Sequence, residues 1–105
     1  MKKNYTIVNS VNYLLEAWVK FVGGEYRFRI KATPAKGQPY IFQCPILREF
    51  IDDNINNNKN LEYLEKVFLK MSENHLEDFI KIYPNIPHNF YHWLKEAKQQ
   101  IGKTE

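Results

Sequence analysis

Alternating apolar and polar positions dominate the first third of the chain. From Leu15 to Ala32 the sequence reads LEAWVKFV-GG-EYRFRIKA, two period-two runs around Gly23-Gly24. A Gly-Gly pair adopts φ > 0 at both central positions of a tight type I′ turn without steric cost. With those glycines as the turn, Val22 lies opposite Glu25, Phe21 opposite Tyr26 and Val19 opposite Phe28, followed by Ala17 with Ile30 and Leu15 with Ala32. The pairs from Phe21–Tyr26 to Leu15–Ala32 are apolar on both sides and share one face. The other face carries Glu16, Trp18, Lys20, Arg27, Arg29 and Lys31. A slip of one residue would send a whole strand's side chains to the wrong face, so the register is strongly specified. A helical description competes over residues 11–22. Val11, Leu14, Leu15, Trp18, Val19 and Val22 also fall at helical spacing, with Glu16 and Lys20 as an i,i+4 pair and Gly23 just past the end. The hairpin is preferred because its apolar cross-strand pairs follow from the turn without adjustment.

Around the hairpin, residues 4–8 (NYTIV) alternate weakly and suggest a short strand broken by Asn9 and Ser10. Thr33 to Pro39 reads as a loop, with two prolines that lack ladder donors and Gly37 to relax the turn. Tyr40 to Cys44 (YIFQC) reads as a further strand, antiparallel to the second arm of the hairpin. From Pro45 the hydrophobic period becomes helical. Pro45 suits a first turn, and Ile46, Leu47, Phe50, Ile51 and Ile55 make an apolar stripe. After the polar break Asn56–Asn60, Asn60 is placed to cap a helix carrying Leu61, Leu64, Val67, Phe68 and Met71. Asn74 with Glu77 resembles a capping box that opens a short helix ending before Pro84, with Leu76, Phe79, Ile80 and Tyr83 inward. Pro87 begins a last helix whose stripe is Phe90, Trp93, Leu94, Ala97 and Ile101. Strands first and helices afterwards predict one α+β domain over residues 1–105. Its antiparallel meander (hairpin 15–32, strand 40–44 and the candidate strand 4–8) is covered on one face by about four amphipathic helices.

Composition bounds the reading. A chain of 105 residues with 44% hydrophobic and 26% charged content supports one core. Net charge is only +3, but its distribution is uneven. Residues 1–45 hold seven Lys/Arg against two Glu, whereas residues 46–105 hold eight against ten Asp/Glu. The basic character belongs to the hairpin half, which points to a polyanionic or acidic partner there. The bland counterpart is a set of cations that merely solvate an exposed sheet, or a face covered by a helix with Trp18 as core. One cysteine, Cys44, precludes an internal disulfide, and no leader or membrane-spanning run is visible, so a cytoplasmic protein without membrane association is expected.

The candidate binding residues are Trp18, Lys20, Arg27, Arg29 and Lys31 on the polar hairpin face, with Lys36 in the following loop. The register sets Trp18 opposite Arg29, where an indole beside cations offers a stacking platform next to phosphate ligands. Other constellations are weaker. His88 and His92 have the i,i+4 spacing of a metal pair but lack further ligands, and with Glu96 and Gln99 they read as an exposed helix side. His75 receives no role. Cys44 before Pro45 could be activated by a helix N-terminus, but alternation puts it beside Tyr40 and Phe42 as a small buried hydrophobe. Asp52 and Asp53, adjacent on a helix, diverge by roughly 100° and cannot act as a close pair. No phosphate-binding loop, dinucleotide fingerprint or nucleophile elbow is present. The sequence thus suggests a binding or regulatory protein, not an enzyme, with no cofactor or metal. Its partner is nucleic acid or a nucleoprotein. The alternatives are an acidic protein surface, met as inhibitor or adaptor, and a homodimer formed through an edge strand such as 5–8 or 40–44.

Overall fold

A computed structural model of the protein describes residues 2–46 and 59–104. Four strands, β1 (Lys2–Val8), β2 (Val11–Val22), β3 (Glu25–Pro34) and β4 (Tyr40–Pro45), form one antiparallel meander in sequence order. Two helices follow among the described residues, α1 (Lys59–Lys81) and α2 (Phe90–Thr104). The helical alternative for residues 11–22 does not occur. Gly23 and Gly24 sit at φ 59° and 83°, as a type I′ turn demands. Every hairpin pair expected from that turn is present, from Val22–Glu25 to Leu15–Ala32.

The first strand is longer than alternation suggested, and Asn9-Ser10 is not a simple break. Both residues take left-handed backbone, at φ 51° and 68°, and turn β1 directly into β2 with Val8 opposite Val11. Asparagine tolerates this region, whereas serine seldom enters it, which conceals the turn from a reading of residue types. β3 likewise runs on to Pro34, so Thr33 and Pro34 belong to the strand.

The helices require larger corrections. Pro45 is the last residue of β4 and so lies in a strand, not in the first turn of a helix. Parity points its missing donor toward the free sheet edge, where no ladder bond is lost. The expected stripe from Leu47 to Ile55 lies outside the described residues. Lys59 already begins α1, so Asn60 lies within that helix and is not its cap. The two helices expected over 61–71 and 74–83 are one, continuous through a kink at His75 (φ −128°, ψ 22°). About four helices therefore become two among the described residues. α2 begins at Phe90, not Pro87, which leaves His88 ahead of the helix.

One sheet face makes the core. Leu15, Ala17, Val19, Phe28, Ile30, Ala32 and Phe42 are buried beneath Leu64, Val67, Phe68 and Met71 of α1 and Leu94, Ala97 and Ile101 of α2. Phe28 stacks on Phe68 with ring centroids 4.5 Å apart and meets Phe90 at 5.6 Å. Aromatic pairs at such distances contribute about 0.5–1.5 kcal/mol beyond the area they bury. β1 runs out opposite Ala17, so the Val19 amide two residues on has no strand to bond. Glu65, buried on α1, accepts that N–H through Oε2 at 3.0 Å. A helix carboxylate thus completes the edge of the sheet.

Candidate functional site

Strand parity sends Trp18, Lys20, Arg27, Arg29 and Lys31 to the face opposite the helices. Their order along the sheet is set by pairing. Nearest the Gly23-Gly24 turn lie Lys20 and Arg27, next Trp18, Arg29 and Gln43, and then Lys3, Glu16, Lys31 and Ile41. The Arg29 guanidinium carbon stands 5.4 Å from the Trp18 ring centroid, within the ~6 Å reach of a cation–π contact. Trp18 is half-buried, whereas Lys20, Arg27, Arg29 and Gln43 are exposed. A hollow of about 300 Å³ opens here, lined by Trp18, Lys20, Val22, Arg27, Arg29 and Gln43, with buried Phe28 beneath.

Five cations on this face (Lys3, Lys20, Arg27, Arg29, Lys31) outnumber two carboxylates, Glu16 and Glu25. Arg27 Nη1 bonds Glu25 Oε1 at 2.8 Å, with both side chains nearly half exposed. A pair this open to water is worth only about 0–1 kcal/mol and yields readily to a competing anion. Glu16 sits in register between Lys3 and Lys31 and offsets part of their charge. The band's positive excess therefore concentrates around Lys20, Arg27 and Arg29, beside the indole. Lys36 stands apart. It is exposed in the loop after Pro34, at the end of the sheet away from the Gly23-Gly24 turn.

Two residues of the hollow and its surroundings escape a sequence reading. Gln43 depends on the β3–β4 register, which sets it opposite Arg29. Lys3 depends on the Asn9-Ser10 turn, and the alternation on both sides of that dipeptide was the available signal. Farther from the band, the same face becomes apolar, with Tyr5 64% and Ile7 70% exposed.

The remaining candidates separate from this face. Cys44 points inward opposite Phe28 and packs against the core. Burial pushes its thiol up to about 11, partly offset by the nearby Arg27 guanidinium. Cys44 lies within β4, and burial holds it as the thiol, the opposite of an activated thiolate. His92 Nε2 lies 3.2 Å from Glu96 Oε1, while Glu96 Oε2 lies 3.5 Å from His75 Nε2. The His75 ring stacks on Trp93 at 4.1 Å and 7°, so this cluster fastens the α1 kink to α2. Exposed His88 precedes that helix and is not on its face. Among the described residues, no group of three or more His, Cys, Asp or Glu is arranged to hold a metal ion. Asp52 and Asp53 lie outside the described residues.

A larger groove of about 400 Å³ runs between β1, α1 and α2. Its polar rim is largely engaged with itself: Asn4 Nδ2 donates to Glu73 Oε1 at 2.8 Å, and Asn74 Nδ2 to Gln100 Oε1 at 2.7 Å. Those bonds hold the elements together, whereas the hollow by Trp18 presents cations to water. Comparison with known proteins adds no name to either. No protein-family model matches the chain, and no curated protein or solved structure is significantly similar to it. No described helix is long and apolar enough to cross a membrane.

Proposed function

We propose that the protein is a non-enzymatic binding or regulatory protein of the cytoplasm, whose basic sheet face contacts nucleic acid or a nucleoprotein. The observation that carries this reading is the Trp18–Arg29 pair, set in a hollow among Lys20 and Arg27 on a face that the described helices leave open. Arg27, Arg29, Lys20 and Lys31 neutralise phosphates, and the indole provides an aromatic surface beside them. Affinity of this kind falls steeply with salt because bound counterions are released on association.

Fluorescence anisotropy of labelled single- and double-stranded oligonucleotides, at low and physiological salt, tests the reading. Binding that weakens with salt and is lost in the Arg27→Ala/Arg29→Ala double variant supports it. Absence of binding even at low salt retires it. A second reading is favoured by exposed Tyr5 and Ile7 on the same face, since apolar anchors beside cations suit an acidic protein surface. Stoichiometric capture of one protein, without oligonucleotide binding, would identify that case. Self-association through β1 has less support, because the Asn4 side chain already occupies the Tyr5 amide at 2.9 Å, which blunts that edge.

A further inference from the structure

We infer that the hollow around Trp18 is a single-nucleotide pocket that selects unpaired strands, with Gln43 contacting the edge of the base it holds. This inference rests on the nucleic-acid reading and narrows it. The hollow, at about 300 Å³, is at the small end of the ~300–1,000 Å³ range of small-molecule sites. It admits one nucleoside. The aromatic platform open to it is Trp18, half-buried and held in place by the pairing of β2 with β3, whereas Phe28 beneath is buried in the core. In a duplex the base faces are already stacked on one another, so only an unpaired base can use that indole.

The walls match the parts of a nucleotide. Val22 supplies an apolar side toward the hairpin tip. Lys20 and Arg27 lie one register step from Trp18 and meet the adjoining phosphates. A base settling on the indole competes with Arg29 for it, and the released guanidinium is then free to take a phosphate. Gln43, exposed and opposite Arg29, is an uncharged side chain of the hollow with both a donor and an acceptor. Those two groups can pair with a base edge, which a lysine or arginine aimed at phosphate does not read.

The test uses the full chain carrying Trp93→Phe, so that Trp18 alone reports, with labelled oligothymidine and a duplex of equal length as probes. Oligothymidine should bind more tightly than duplex and quench the Trp18 emission. Trp18→Ala should lower single-strand affinity about ten- to a hundredfold, as stacking losses per base do, and leave duplex binding unchanged. Trp18→Phe should restore most of the loss, and circular dichroism establishes that each variant is folded. Gln43→Ala should erase differences among homopolymers while preserving the salt slope. Duplex binding as tight as single-strand binding, or an equal loss on both in Trp18→Ala, overturns the pocket while sparing phosphate binding. It would point instead to the β2–β3 ribbon entering a major groove. Homopolymer differences that survive Gln43→Ala remove Gln43 from the role. No binding of either probe at low salt overturns both readings.

Discussion

The same residues of β2 and β3, taken alternately, build two faces with opposite obligations. Val19, Phe28 and Ile30 are sealed under two helices, and each has neighbours on every side. Trp18, Lys20, Arg27 and Arg29 occupy the intervening positions, yet their nearest obligations are to each other and to water. The inner face must satisfy shape, because voids and overpacking both cost stability in a close-packed core. The outer face need only keep its charges solvated, so its residue types are free to serve a ligand. An indole among three cations, where a smaller polar side chain would solvate as well, is what makes the outer face a candidate site.

The largest expected effect attacks the inner side of this contrast. Phe28→Ala should cost about 3–5 kcal/mol in chemical denaturation, since it deletes a buried ring that faces both Phe68 and Phe90. Next is the seam between sheet and helix. Glu65→Ala strands the Val19 amide and should cost about 1–3 kcal/mol, the usual penalty for a buried donor left without its acceptor. Glu65→Gln keeps an acceptor oxygen and should cost less. Equal losses for the two variants would mean that the carboxylate's charge, and not its bond to Val19, is what matters.

How much of this was legible depended on whether a local signal fixed a long-range pairing. Gly23-Gly24 did so, and with the register came the sorting of Trp18, Lys20, Arg27, Arg29 and Lys31 onto one face. Lys36 had no such anchor, because parity says nothing about a loop. Lys3 and Gln43 needed the neighbouring strands in place, and Ser10 in left-handed backbone disguised the turn that aligns β1. The helical half failed differently. Asn74 and Glu77 look like a start, but Leu76 and Phe79 continue a buried surface with Phe68 and Met71. Packing against the sheet carries the helix through the would-be cap, and the conflict survives only as the kink at His75.

Cys44 tests the contrast by pH. Its thiol ionises in the unfolded chain near 9 but only at about 11 when folded. A pKa raised by folding contributes stability that is fully present below about 9 and is lost as pH rises through about 11. Cys44→Ala should therefore flatten the alkaline limb of the stability curve, and iodoacetamide should modify the folded wild type slowly at neutral pH. Rapid alkylation of the folded protein would place the thiol on the open side of the sheet and undo the assignment of β4.

The smallest stability effect is the most informative about function. Arg27→Ala with Arg29→Ala should change unfolding free energy by no more than about ±0.5 kcal/mol, the usual range for exposed substitutions. The Glu25 pair and the cation–π contact are both too exposed to add much more. The same double variant should nevertheless lose oligonucleotide binding at physiological salt. If it unfolded while Phe28→Ala stood, the two faces would be reversed. If it kept both stability and binding, phosphate contact would have to be sought at Lys3, Lys31 and Lys36. A variant silent in denaturation and decisive in binding is the signature of a surface whose residue types the fold leaves unconstrained.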